Sequence, residues 1–236
     1  MVNDNNKFGV EIFGAPGVGK TTFIRKNGWI SSHDEYHKML DDIARNKFKK
    51  KYFIPFPAKI LRLFRETTKS SIDENAIREF EKQYKEFIDL SIFIIFNSPV
   101  SAERRIRCYK FLVNAILSWW LVEDRAGMVW DESFAKVVLY ACGMKPDFSW
   151  QYFSNVVKVM PKRDKYIFMD GLPEQGVIGQ INRGKFANNL TMAERETKIN
   201  SSNKYRQVAE KLSEELVYCG SEVEKQFSTI DEELHI

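Results

Sequence analysis

The run Phe8-Gly9-Val10-Glu11-Ile12-Phe13 leads directly into Gly14-Ala15-Pro16-Gly17-Val18-Gly19-Lys20-Thr21-Thr22, and this junction restricts the folds open to the chain. The first segment has the character of a buried strand. Thr22-Phe23-Ile24-Arg25-Lys26 continues as a helix, so the glycines occupy a strand-to-helix turn. Their spacing is G-x-x-x-x-G-K-[ST], in which each residue type has a mechanical reason to be present. Gly14, Gly17 and Gly19 permit backbone angles that turn successive N–H groups inward on phosphate oxygens. Lys20 supplies a point charge for β- and γ-phosphates, and the Thr21 hydroxyl suits Mg²⁺. A helix starting near Gly19 adds its positive end to the same place. The stretch Gly14 to Thr22 is therefore expected to hold the phosphates of a nucleoside triphosphate.

A chain of 236 residues, 44% hydrophobic and 29% charged, suits one α/β domain with ample material for a core. Further short apolar runs at Gly28 to Ile30, Gly127 to Trp130, Tyr166 to Met169 and Val223 to Ile230 alternate with helical patterns. Such alternation predicts a parallel sheet covered on both faces. Residues 36–122 lack strand character. Phe80, Tyr84, Phe87, Ile88 and Ile92 recur at helical spacing, Ser98-Pro99 breaks the pattern, and a second long helix is expected over Ala102 to Val122. Ile54-Pro55-Phe56-Pro57 reads as a rigid turn. A large helical insertion is thus expected between the second and third strands, within one continuous domain spanning 1–236.

The net charge of +4 is mild, and acids are interleaved with the bases, so no stripe for nucleic acid stands out. Three scattered cysteines fit a reducing compartment. The N-terminus lacks the apolar core of a signal peptide, and Phe111 to Val122 is too short to span a bilayer. A soluble cytoplasmic protein is the expectation.

Three further segments bear on chemistry. Asp131 and Glu132 end the third apolar run. Asp131 suits the metal's water shell, or alternatively caps a helix starting near Ser133; Glu132 suits a role in orienting water or an acceptor hydroxyl. Asp34 and Glu35 follow the second run, where a carboxylate reaches the phosphate edge of a doubly wound sheet, or begins a helix. His33 and His37 beside them read as surface residues. Asp170-Gly171-Leu172-Pro173-Glu174 leads into a helix whose far end carries Arg183 and Lys185. These bases either fold over the triphosphate or complement the helix dipole. Trp119 and Trp120 read as core residues.

Taken in order, Gly14 to Thr21, Asp34-Glu35, Asp131-Glu132, Asp170-x-x-Pro173-Glu174 with Arg183, and Tyr205-Arg206 resemble the nucleoside and nucleotide kinases of the P-loop class, the thymidylate-kinase-like group in particular. The resemblance implies a P-loop NTPase three-layer sandwich with a five-stranded parallel sheet and a central P-loop strand. It also implies MgATP as donor, a lid around Arg183 to Arg195, and an acceptor site between the insertion and the strand ends. Lys20 and Thr21 would hold phosphate and Mg²⁺, Asp34 or Glu35 would be the base, and Arg183 a lid arginine. The chain departs from that group at Asp131-Glu132, where an acid-arginine pair is usual, and in its longer insertion. The acceptor is thus a nucleoside, a nucleotide or another hydroxyl compound. The acidic pair also suits a nucleotide-hydrolysing switch, although Asn203-Lys204-Tyr205-Arg206 lacks the Asp of a guanine-reading motif. A third reading is a non-catalytic nucleotide-binding module that presents the aromatic insertion to a partner.

Overall fold

Strand β1 (Val10–Phe13) lies between two parallel neighbours, pairing with β4 (Lys165–Asp170) along its whole length and with β3 (Met128–Trp130) through Val10 and Glu11. β2 (Ile30–Ser31) extends the sheet beyond β3, and β5 (Glu222–Phe227) extends it beyond β4. All pairings in this order of β2-β3-β1-β4-β5 are parallel, with β1 at the centre. The computed structural model describes residues 9–52, 58–122, 128–131, 133–143, 145–182, 184 and 190–227. The helices are α1 (Lys20–Lys26), α2 (Ser32–Tyr52), α3 (Ala58–Asn97), α4 (Ala102–Val122), α5 (Phe134–Gly143), α6 (Pro146–Val159), α7 (Pro173–Ile181) and α8 (Met192–Tyr218).

Alternation along the strands separates two apolar layers. Ile12, Val129, Ile167 and Met169 face α1, where Ala15, Val18 and Ile24 complete a small cluster. Phe13, Tyr166 and Phe168 enter a larger core shared with α5 and α8, and with the insertion helices α2, α3 and α4. Aromatic rings fasten the insertion to the body: Phe80 of α3 stacks on Phe134 of α5 at 5.0 Å and meets Trp119 of α4 edge-on at the same distance. Trp119 is buried as expected, whereas its neighbour Trp120 lies on the surface. The chain leaves helical angles at Tyr84, so α3 is two helices joined at a kink. The turn expected at Ile54 to Pro57 falls outside the described residues.

The second strand starts later than its apolar pattern indicates, because Gly28 belongs to the end of α1. Its φ of 66° is the left-handed conformation, with Gly28 N–H donating to the Arg25 carbonyl and Trp29 N–H to that of Ile24. These two bonds form a Schellman ending, which favours glycine at this position. The start of α8 is fixed locally too. Thr191 Oγ1 accepts from Glu194 N–H at 3.3 Å, and the Glu194 carboxylate accepts from Thr191 N–H at 2.9 Å.

Two strand acids are buried for different purposes. At the end of β4, Asp170 accepts two hydrogen bonds from the Arg206 guanidinium, at 2.7 and 3.1 Å, with Lys225 at 3.0 Å. Burial pulls its carboxyl up, yet the bonds and charges of Arg206 and Lys225 together hold it below the usual range. This cluster joins β4, α8 and β5. In β1, Glu11 is 1% exposed and accepts a hydrogen bond from Ala135 N–H at 2.9 Å, so a strand side chain caps the start of α5. Burial pushes the Glu11 carboxyl up to about 7; the Arg163 guanidinium and the Ala135 N–H oppose the rise, and Asp131 adds to it.

The unfolded chain releases the Glu11 proton near its ordinary value of 4.5, while the folded chain keeps it to about 7. Between these values the folded state binds more protons, so rising pH removes up to roughly 3 kcal/mol of stability. Glu11→Gln keeps an acceptor for Ala135 and cannot ionise. Urea denaturation at pH 4.5 and pH 8 is expected to show a smaller loss of stability in this variant than in the parent; equal losses would contradict the assignment.

Candidate functional site

Because the strands are parallel, Gly14, Ser31, Asp131 and Asp170 all lie at or just beyond one edge of the sheet. The chain leaves β1 for α1 on one face of the sheet and leaves β3 for α5 on the other, so the connections diverge between these adjacent strands. Such a divergence opens a crevice at the carboxyl ends. An open cleft occupies that place, lined by Gly14, Pro16, Gly17, Lys20, Thr21, Asp131 and Lys136, with Leu139 and Tyr140 as an apolar wall.

The loop between β1 and α1 is held from both ends. Lys20 Nζ donates to the carbonyls of Gly14 at 2.8 Å and Ala15 at 2.9 Å, folding its ammonium across the loop. Behind the loop lies α7. Gly17 has a φ of 93°, and a Cβ there would collide with the Gly176 carbonyl oxygen. A Cβ on Gly179 would meet the Gly17 carbonyl oxygen at 2.8 Å, and Gln180 Nε2 donates to the Pro16 carbonyl at 3.3 Å. One turn of glycines on α7 therefore allows helix backbone to press directly against loop backbone.

Asp131 faces this loop across the cleft. Its Oδ1 accepts from Ser31 Oγ at 2.9 Å, Ser32 Oγ at 3.4 Å and His33 N–H at 3.3 Å. The carboxylate thus caps α2, the first helix of the insertion, a helix other than the one expected near Ser133. That other helix, α5, starts with the Ser133 carbonyl accepting from Val137 N–H at 3.2 Å and with Glu11. Thr21 and Asp131 offer a hydroxyl and a carboxylate oxygen on one cleft, a hard donor set that suits Mg²⁺. Among the described residues no cluster of three or more His, Cys, Asp or Glu is arranged for a metal. An ion here would therefore complete its shell with phosphate and water oxygens.

A second, narrower cleft adjoins the first, and Lys136 lines both. His33, Tyr36 and His37 of α2 form one wall, Phe111, Asn114 and Ser118 of α4 another, and Ser133 and Lys136 the floor next to the sheet. The two imidazoles meet edge-on at 4.4 Å. Both are half-buried cleft residues, not the surface positions expected of them. The cleft lies between the insertion and the strand ends.

Of the residues singled out from sequence, Gly14, Pro16, Gly17, Lys20, Thr21 and Asp131 come together on the first cleft. Ala15 and Val18 point instead into the α1 core, and Gly19 caps α1 with Thr22 exposed on its first turn. Asp34 is exposed on the first turn of α2, and Glu35 pairs with Lys38 at 3.6 Å; neither lines the described clefts. Glu132, Arg183 and Lys185 fall outside the described residues. Glu11, Lys136 and the α7 glycines were not singled out. The signals were present: one acid inside an apolar strand, one cation on an apolar helix, and glycines three apart in Gln175-Gly176-Val177-Ile178-Gly179. No family model matches the chain, and neither a curated protein nor a solved structure does. Among the described residues no helix is long and apolar enough to cross a membrane.

Gly17→Ala is expected to cost about 2–3 kcal/mol, from left-handed backbone strain and the collision with α7. An exposed substitution such as Thr22→Ala should stay near 0.5 kcal/mol. Chemical denaturation of the two variants makes the comparison, and equal small effects would show that the loop does not bear on α7.

Proposed function

We propose that the chain is an ATP-dependent phosphotransferase that moves the γ-phosphate of MgATP to a small-molecule acceptor. The observation that carries this reading is the grouping of Lys20, Thr21 and Asp131 on one cleft, joined to a second, polar-lined cleft beneath the insertion. A donor site alone would serve hydrolysis or simple binding. A donor site with a second cleft beside it suits transfer between two molecules, where positioning lowers the barrier. The same arrangement supports the P-loop kinase resemblance, with the second cleft receiving the acceptor.

In this reading the loop N–H groups and Lys20 bind the phosphate chain, and Thr21 and Asp131 would hold Mg²⁺, which would supply charge neutralisation at the phosphate oxygens. The acceptor oxygen forms a bond to the γ-phosphorus as the bond to the β,γ-bridging oxygen breaks, leaving ADP. The acceptor proton passes to a carboxylate or to solvent. Asp131 is the acid on the cleft, whereas Asp34 and Glu35 stand outside its lining.

ADP release from MgATP by the purified chain, with and without a fractionated pool of small metabolites, tests the proposal. Release is expected to rise with the pool and to fall at least about 100-fold in Lys20→Ala, which loses a charge directed at the transferred group. Equal release without the pool would point to hydrolysis, and nucleotide binding without release to a binding module. Asp34→Asn is expected to retain turnover; its loss would return the base to that position.

A further inference from the structure

Lys136 is the one lysine or arginine on α5, whose sequence is otherwise apolar, and it stands in the first turn between buried Ala135 and Val137. A cation there opposes the positive end of the helix, so local helix stability does not account for it. Its ammonium lies 4.6 Å from the centroid of Phe111 and 5.8 Å from that of Tyr140. Both rings attract the ammonium through their faces. Phe111 lines the second cleft and Tyr140 the first, and Lys136 lines both. A group passing from a molecule in one cleft to a molecule in the other must cross the region they share. Lys20, on the loop side, lines the first cleft.

We infer that Lys136 is a second phosphate-directed cation of the site, contacting the γ-phosphoryl group of a bound triphosphate where the two clefts meet. The inference rests on the proposed triphosphate reading and adds to it a residue from outside the phosphate loop. A charge at this place is met by ATP, whose third phosphate extends to the junction. ADP ends before it. Lys136 therefore discriminates between the two nucleotides, whereas the loop holds both. The same charge is placed to stabilise the equatorial oxygens during transfer.

Calorimetric titration of the full chain with MgATP and with MgADP tests this without knowledge of the acceptor. K136M is expected to weaken MgATP binding by about tenfold, the scale of one charge-assisted hydrogen bond, while MgADP affinity stays within about twofold. K136R should restore most of the difference. The affinity ratio is read on the folded fraction and so tolerates partial loss of stability, and K136Q supplies a second neutral variant if K136M fails to fold. Equal losses for both nucleotides would make Lys136 a support of α5 and overturn the inference. Unchanged affinity for both would overturn it as well. A parent chain that binds neither nucleotide would instead overturn the triphosphate reading itself, and the inference with it.

Discussion

Pairing of β1 with parallel strands on both sides governs the arrangement of everything else. Its hydrogen bonds to β3 and β4 fix three strand ends at one level, and those ends carry the loop, Asp131 and Asp170. Crossovers between parallel strands require long connections, so the insertion, α5 with α6, and α7 with α8 become the walls around that edge. The residues at 36–122 would form a helical lobe of no fixed relation to the loop without this frame. With it, α2 starts from the end of β2 beside Asp131, and α4 and α5 enclose the second cleft.

Charge is distributed along this frame by distinct physical means. Glu11 within β1 and Asp131 just beyond β3 each cap a helix, so the helix starts are bound to the sheet by hydrogen bonds as well as by apolar packing. Glu11 meets burial with one N–H and the guanidinium of Arg163, and its carboxyl is raised. Asp170 meets burial with Arg206 and Lys225, and its carboxyl is lowered. The same residue chemistry thus leads to opposite proton affinities, decided by depth of burial together with the cations acting on each carboxylate. Stability drawn from Asp170 is lost as acid protonates it, whereas Glu11 is most compatible with the fold in its neutral form.

Legibility from sequence followed the range of the interactions. The loop, its flanking strand and helix, and the long helices at Ala102 to Val122 and around Phe80 depend on neighbours close in the chain, and periodicity and glycine spacing revealed them. Gly28 misled because an apolar neighbour, Trp29, imitates a strand while the glycine closes a helix. Asp131 was recognised as an acid of the site, but its partner helix lies about a hundred residues earlier, where no local pattern points. Lys136 was legible as an oddity and not as a site residue, since its meaning comes from two clefts that only the folded insertion creates. The burial of His33 and His37 has the same origin.

The contact of Gly17 with Gly176 and Gly179 joins two segments some 160 residues apart with no side chain between them. Neither segment can therefore change shape alone: a methyl group gained on the helix must be answered by retreat of the loop, and a different curl of the loop by a displaced helix. Substitutions tolerated in this region should accordingly come as matched sets. A graft of the loop into another sheet would need the small face of α7 carried along with it.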